Sequence, residues 1–168
     1  MPTPGIPASL LALSLLLGAC GGADDPAALA DAGTQALNSG NYEDARADFR
    51  RASELVAGDA SHAQFKRIEL GGIEAQAYLD PAKARDELLA LAAENQGLLQ
   101  DRDYSAIATA MVQTKEFGVA IDVIDAGRKA FPDSQRLVKL TDAIVAESKR
   151  SGDSKLLDKL RGLGYTGE

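Results

Sequence analysis

The sequence predicts an all-α fold of about eight short helices, and three observations predict it. After Pro26 the chain is rich in Ala, Leu, Glu, Lys, Arg and Gln and poor in aromatic residues, a composition of strong helix formers. It shows no sustained alternation of apolar and polar residues, which a half-buried strand requires. Breaks recur at short intervals: Ser39-Gly40-Asn41, Gly58-Asp59, Asp80-Pro81, Gly97, Glu116 to Gly118, Pro132-Asp133 and Ser151-Gly152-Asp153. They divide residues 24–162 into helices of roughly 10 to 19 residues. The turns between them are so short that consecutive helices must run antiparallel.

The elements follow in order. The first helix carries Gly33 and closes at Gly40, and the second carries Tyr42, Ala45, Phe49 and Ala52 and closes at Gly58. Gly40, Gly58 and Gly152 are placed to take the left-handed conformation that ends a helix. The third helix carries Ile68, Gly71, Gly72 and Ala75. The fourth, Asp80 to Ala93, carries Ala84, Leu88 and Leu91, with Asp80 capping its free amides and Pro81 at a position where no N–H is needed. The fifth helix gathers Tyr104, Ile107, Ala108 and Met111 on one face, and the sixth carries Phe117, Ala120, Ile124 and Gly127. Pro132 stops the sixth helix, and Asp133-Ser134 cap the seventh. Residues 134–150 place Leu137, Leu140, Ile144 and Val145 on one side, and Leu156, Leu157 and Leu160 define a shorter final helix.

Gly33, Gly40, Tyr42, Ala45, Phe49 and Ala52 form the pattern G-x6-G-x-Y-x2-A-x3-F-x2-A, which resembles the tetratricopeptide repeat (TPR). Gly33 and Ala45 are small where two helices would cross, Tyr42 and Phe49 fill the space beside them, and Ala52 leaves room for the next pair. Phe117, Ala120, Ile124, Gly127 and Pro132 are a second copy, including the closing proline that Ala57 replaces in the first. The middle copy is looser. Ala45 to Ala84 is 39 residues and Ala84 to Ala120 is 36, against a family period of about 34. The resemblance implies an α-solenoid of about three helix hairpins over residues 28–150, closed by a capping helix and tail over 151–168. Ala, Phe and Ala at this spacing would also suit a generic helical bundle. Lys149, Arg150, Lys155, Asp158 and Lys159 suit an exposed cap. The closing Leu160-Arg161-Gly162-Leu163-Gly164-Tyr165 is similar to a short tail of some bacterial sulfatases and repeat proteins, but no sulfatase nucleophile motif accompanies it.

The only cysteine, Cys20, ends an apolar run as Leu17-Gly18-Ala19-Cys20. That sequence resembles the lipobox of bacterial lipoprotein precursors, which implies cleavage before Cys20 and acylation of the cysteine. Residues 1–19 are then a lipoprotein signal peptide, and 20–27 a lipid-anchored tether reaching no more than about 29 Å. The apolar segment Ala8 to Leu17 spans roughly 15 Å as a helix, too short to cross a bilayer core of about 30 Å. Met1 to Ser9 lacks the Lys or Arg expected of a targeting peptide, and Gly21-Gly22-Ala23 would also suit the general signal peptidase. Gly21, in place of Asp, permits transport to the outer membrane under the enteric sorting rule, facing the periplasm.

Removing residues 1–19 from 168 leaves 149, a length that makes one domain. A single Cys allows no internal disulfide, so packing must hold the domain together. All charged residues lie after Ala23, so the net charge of -7 belongs to this part. An acidic body offers no clustered Lys and Arg for nucleic acid or anionic lipid.

Chemistry-bearing residues are sparse. His62, the only histidine, reads as a solvated turn residue, and without a second His or a Cys cluster no zinc site of usual spacing exists. Phosphate-binding glycine motifs are missing. The adjacent carboxylates Asp24-Asp25, Glu43-Asp44 and Asp86-Glu87 point about 100° apart on a helix and read as solvated surface. No catalytic residue, metal, cofactor or small-molecule substrate is expected.

The TPR resemblance implies a protein–protein interaction scaffold in the bacterial cell envelope, with a partner peptide or helix held in a concave groove lined by the first helix of each pair. Carried over by position, the groove presents Thr34, Leu37 and Asn38, then Lys66, Glu69, Ile73 and Gln76, then Arg102, Ser105, Thr109, Val112 and Gln113. It lacks the Lys and Asn cluster that clamps a C-terminal carboxylate in some family members. Two other readings stay open: a small envelope enzyme or cofactor carrier using groove carboxylates, and a passive homo-oligomeric spacer.

Overall fold

The computed structural model describes residues 25–166. Cys20, the Leu17-Gly18-Ala19 motif and most of the expected tether lie outside the described residues. Within them every regular element is helical: α1 (Pro26–Asn38), α2 (Tyr42–Val56), α3 (Phe65–Leu79), α4 (Pro81–Glu94), α5 (Asp101–Gln113), α6 (Phe117–Ala130), α7 (Gln135–Ser151) and α8 (Ser154–Gly162). The fold is all-α.

Local chemistry accounts for the ends. The carboxylates of Asp80 and Asp153 and the hydroxyl of Ser134 accept the N–H groups of Lys83, Leu156 and Leu137 at 3.1, 3.0 and 3.3 Å, starting α4, α8 and α7. At the end of α1, Gly40 turns left-handed at φ +78°, and Asn41 N–H bonds back to the Ala36 carbonyl at 2.9 Å. The same closure ends α5, but there the left-handed position falls on Lys115 at φ +65°, three residues before the glycine in that break.

The helices lie in two rows. In one row α1 packs on α3, α3 on α5 and α5 on α7; in the other α4 packs on α6 and α6 on α8. Ala45, Ala84 and Ala120 are each 0 % exposed and let the rows approach. Between them the ring of Phe49 fits against Gly33 of α1 and Gly71 of α3; a Cβ on Gly33 would lie 3.0 Å from the ring. Further along, the sizes are exchanged: Gly127 of α6 is the small partner, pressed by Tyr104 of α5 and Leu137 of α7. Ile124 is fully buried, Phe117 is half-buried against the core, and Pro132 is exposed in the turn after α6.

Ion pairs link α2 to α4, and both α4 and α8 to α6. Arg46 of α2 meets Glu87 of α4 at 2.6 Å, Arg85 of α4 meets Asp122 of α6 at 3.4 Å, and Lys159 of α8 meets Asp122 at 2.6 Å. Lys159 also donates to the Gly118 carbonyl at 2.6 Å, so it fastens α8 to α6 instead of facing solvent as a cap residue. The tail docks as well. Tyr165 Oη donates to Asp125 at 2.8 Å, and the Arg128 guanidinium lies 4.4 Å from the centre of its ring.

Candidate binding face

Helices α1, α3 and α5 run parallel, as their polar contacts establish. Near the N-terminal ends of α3 and α5 Lys66 Nζ meets Asp103 Oδ2 at 2.6 Å, and Arg67 Nη2 donates to Asp31 at 2.5 Å and to Thr34 at 3.2 Å in the middle of α1. At the other ends Tyr78 Oη donates to Gln113 Oε1 at 2.7 Å, and the Tyr78 ring stacks on Tyr42 with centroids 4.0 Å apart. The side of these helices turned away from the second row is open along its length.

On α1 this open side carries Asn38, exposed, and Thr34, half-buried, with Leu37 turned partly into the core. On α5 it carries Arg102, Thr109 and Gln113, all exposed, with Ser105 and Val112 half-buried.

The expected set on α3 needs correction. Ile73 and Gln76 are 3 % and 7 % exposed and do not lie on this open side. Lys66 is occupied by Asp103 and the Leu98 carbonyl, and Glu69 turns toward α2, where it accepts from Ser53 Oγ at 2.5 Å. The α3 residues on the open side are Arg67, Leu70, Glu74 and Tyr78 instead. The reason is turn length. Three residues join α1 to α2, but Asp80 alone joins α3 to α4, and α3 has 15 residues where α1 has 13. Counting back from Ala84 across a shorter turn assigns the wrong angular positions. Composition offers no rescue, because α3 touches α1, α2, α4 and α5 and is buried around most of its circumference.

Electrostatically the face is mixed. Arg67 is held by Asp31, and Arg102 Nε lies 3.8 Å from Asp103 Oδ1. Glu74 is different: among the described residues it has no hydrogen-bond or salt-bridge partner, and burial pushes its carboxyl above the ordinary range. Burial, with Tyr42 and Glu74 nearby, also raises the Tyr78 phenol.

Among the described residues no group of three or more His, Cys, Asp or Glu side chains converges to hold a metal ion, and no helix is long and apolar enough to cross a membrane. His62 is exposed in the turn before α3, where its Nδ1 accepts from the Gln64 N–H at 3.2 Å. No family model matches this chain, and the comparisons with characterised proteins and with solved structures find no match.

Proposed function

We propose that this chain is a TPR-type α-solenoid, anchored by lipid at Cys20 to the bacterial cell envelope, that acts as a protein–protein interaction scaffold. A partner peptide or helix lies across the open side of α1, α3 and α5. The observation that carries the reading is the parallel alignment of these helices with an open polar side. The spacing of contacts adds support: Arg67 with Thr34, Tyr78 with Gln113, Arg85 with Asp122 and Arg46 with Glu87 are 33, 35, 37 and 41 positions apart, around the family period of about 34. Stacked pairs of this kind form extended binding surfaces. The anchor reading rests on Leu17-Gly18-Ala19-Cys20 and places the domain near the membrane, at the periplasmic side of the outer membrane.

The test replaces Arg102, Thr109 and Gln113 together with Ala. Loss of partners cross-linked in intact envelopes, with helix content unchanged by circular dichroism, supports the reading. Unchanged recovery of the same partners removes it. Incorporation of labelled palmitate into the wild-type chain, absent from Cys20→Ser, tests the anchor separately.

A further inference from the structure

The geometry points to a specific subsite on the proposed face: Glu74, beside the stacked rings of Tyr78 and Tyr42, receives a Lys or Arg side chain of the bound segment. This inference rests on the groove reading and states what the groove selects.

Glu74 lies one helical turn before Tyr78 on α3, so both project from the same side. The contacts that align the helices place Glu74 level with Asn38, the last residue of α1, and with Thr109, one turn before the end of α5. Neither neighbour carries a charge. Two cations of this face, Arg67 and Arg102, lie two turns before Glu74 and Thr109 on their helices, where Arg67 pairs with Asp31 at 2.5 Å and the exposed Arg102 lies 3.8 Å from Asp103. Lys66 is bound to Asp103 at the N-terminal end of the same helix pair. Among the described residues Glu74 is therefore a partly desolvated carboxylate without a counter-charge, flanked by the stacked rings of Tyr78 and Tyr42.

That combination suits a basic side chain. Its ammonium or guanidinium group supplies the missing charge, and its aliphatic stem covers the rim of the tyrosines, with a cation–π contribution where it overlaps a ring. A carboxylate or phosphate ligand would meet Glu74 with the same sign. Pairing a desolvated carboxylate with a charge-assisted hydrogen bond strengthens binding more than an exposed pair does.

The experiment selects peptides from a random display library on the immobilised full chain in detergent, then measures each selected peptide against wild type and Glu74→Gln. The expected result is a Lys or Arg at one fixed position, whose replacement by norleucine weakens wild-type binding about tenfold but leaves binding to Glu74→Gln unchanged. Selected peptides that lack a basic residue, or a norleucine loss equal in both proteins, overturn the subsite while leaving the groove in place. Failure to select any peptide overturns the groove reading and the subsite with it. Because the norleucine change is made in the peptide, the comparison does not depend on the variant's stability.

Discussion

The ring of Phe49 occupies the space over Gly71 so fully that a Cβ built there would overlap Cζ and Cε1. One aromatic ring thus joins α2 to α3, and through Gly33 to α1.

Gly71→Ala therefore destabilises the fold, by about 1–3 kcal/mol as for other overpacked sites. Gly33→Ala, where the Cβ would stand 3.0 Å from the ring, costs less. Both changes gain similar helix propensity, so urea unfolding of the two variants isolates the ring contact. In Phe49→Leu the penalty of Gly71→Ala shrinks, a coupling that a double-mutant cycle measures.

Lys115 holds a left-handed backbone at the end of α5, where Gly40 does the same work at the end of α1. An L-residue with a Cβ pays roughly 1 kcal/mol in that region. Lys115→Gly should stabilise the protein by up to about 1 kcal/mol, read as a higher denaturation midpoint with an unchanged urea slope.

Burial, then the hydrogen bond to Asp125, pushes the Tyr165 phenol up to about 12 from 10.0. The native state thus favours the protonated ring: this contribution is whole below pH 10 and is lost as pH rises toward about 12. Tyr165→Phe should cost about 0.5–1.5 kcal/mol at neutral pH. It should also flatten the alkaline fall in stability, measured by chemical unfolding on both sides of that window.

Glu74 runs in the opposite sense. Its carboxyl is raised above 4.5 by burial, so the ionised group weakens the unliganded fold above its native pKa, and the penalty disappears as pH falls below 4.5. Glu74→Gln should melt higher than wild type at neutral pH, with the difference closing as the solution is acidified. A variant no more stable than wild type at neutral pH would show that the carboxylate is already paired.

The helix boundaries were legible because their signals are local: Asp80-Pro81, Ser134, Asp153 and Gly40 act on neighbouring amides. The open face of α5 was legible too, since its polar arc from Arg102 to Gln113 contrasts with the buried Tyr104, Ile107, Ala108 and Met111. The face of α3 was not, because a helix packed on several sides has little polar contrast and a one-residue turn changes its register. The ion pairs between helices left one trace, Ala-Arg at Ala45-Arg46 and again at Ala84-Arg85. Nothing local says that those arginines reach a carboxylate about 40 positions away instead of solvent. Glu74 depends wholly on tertiary placement.

The most direct measurement places a photo-reactive amino acid at Thr109, on the open face of α5, and separately at Lys83, on the exposed surface of α4 in the other row. After irradiation of intact cells, a groove-binding scaffold gives a discrete protein adduct from Thr109 and none from Lys83. No adduct from Thr109, or the same adducts from both positions, would contradict binding across α1, α3 and α5.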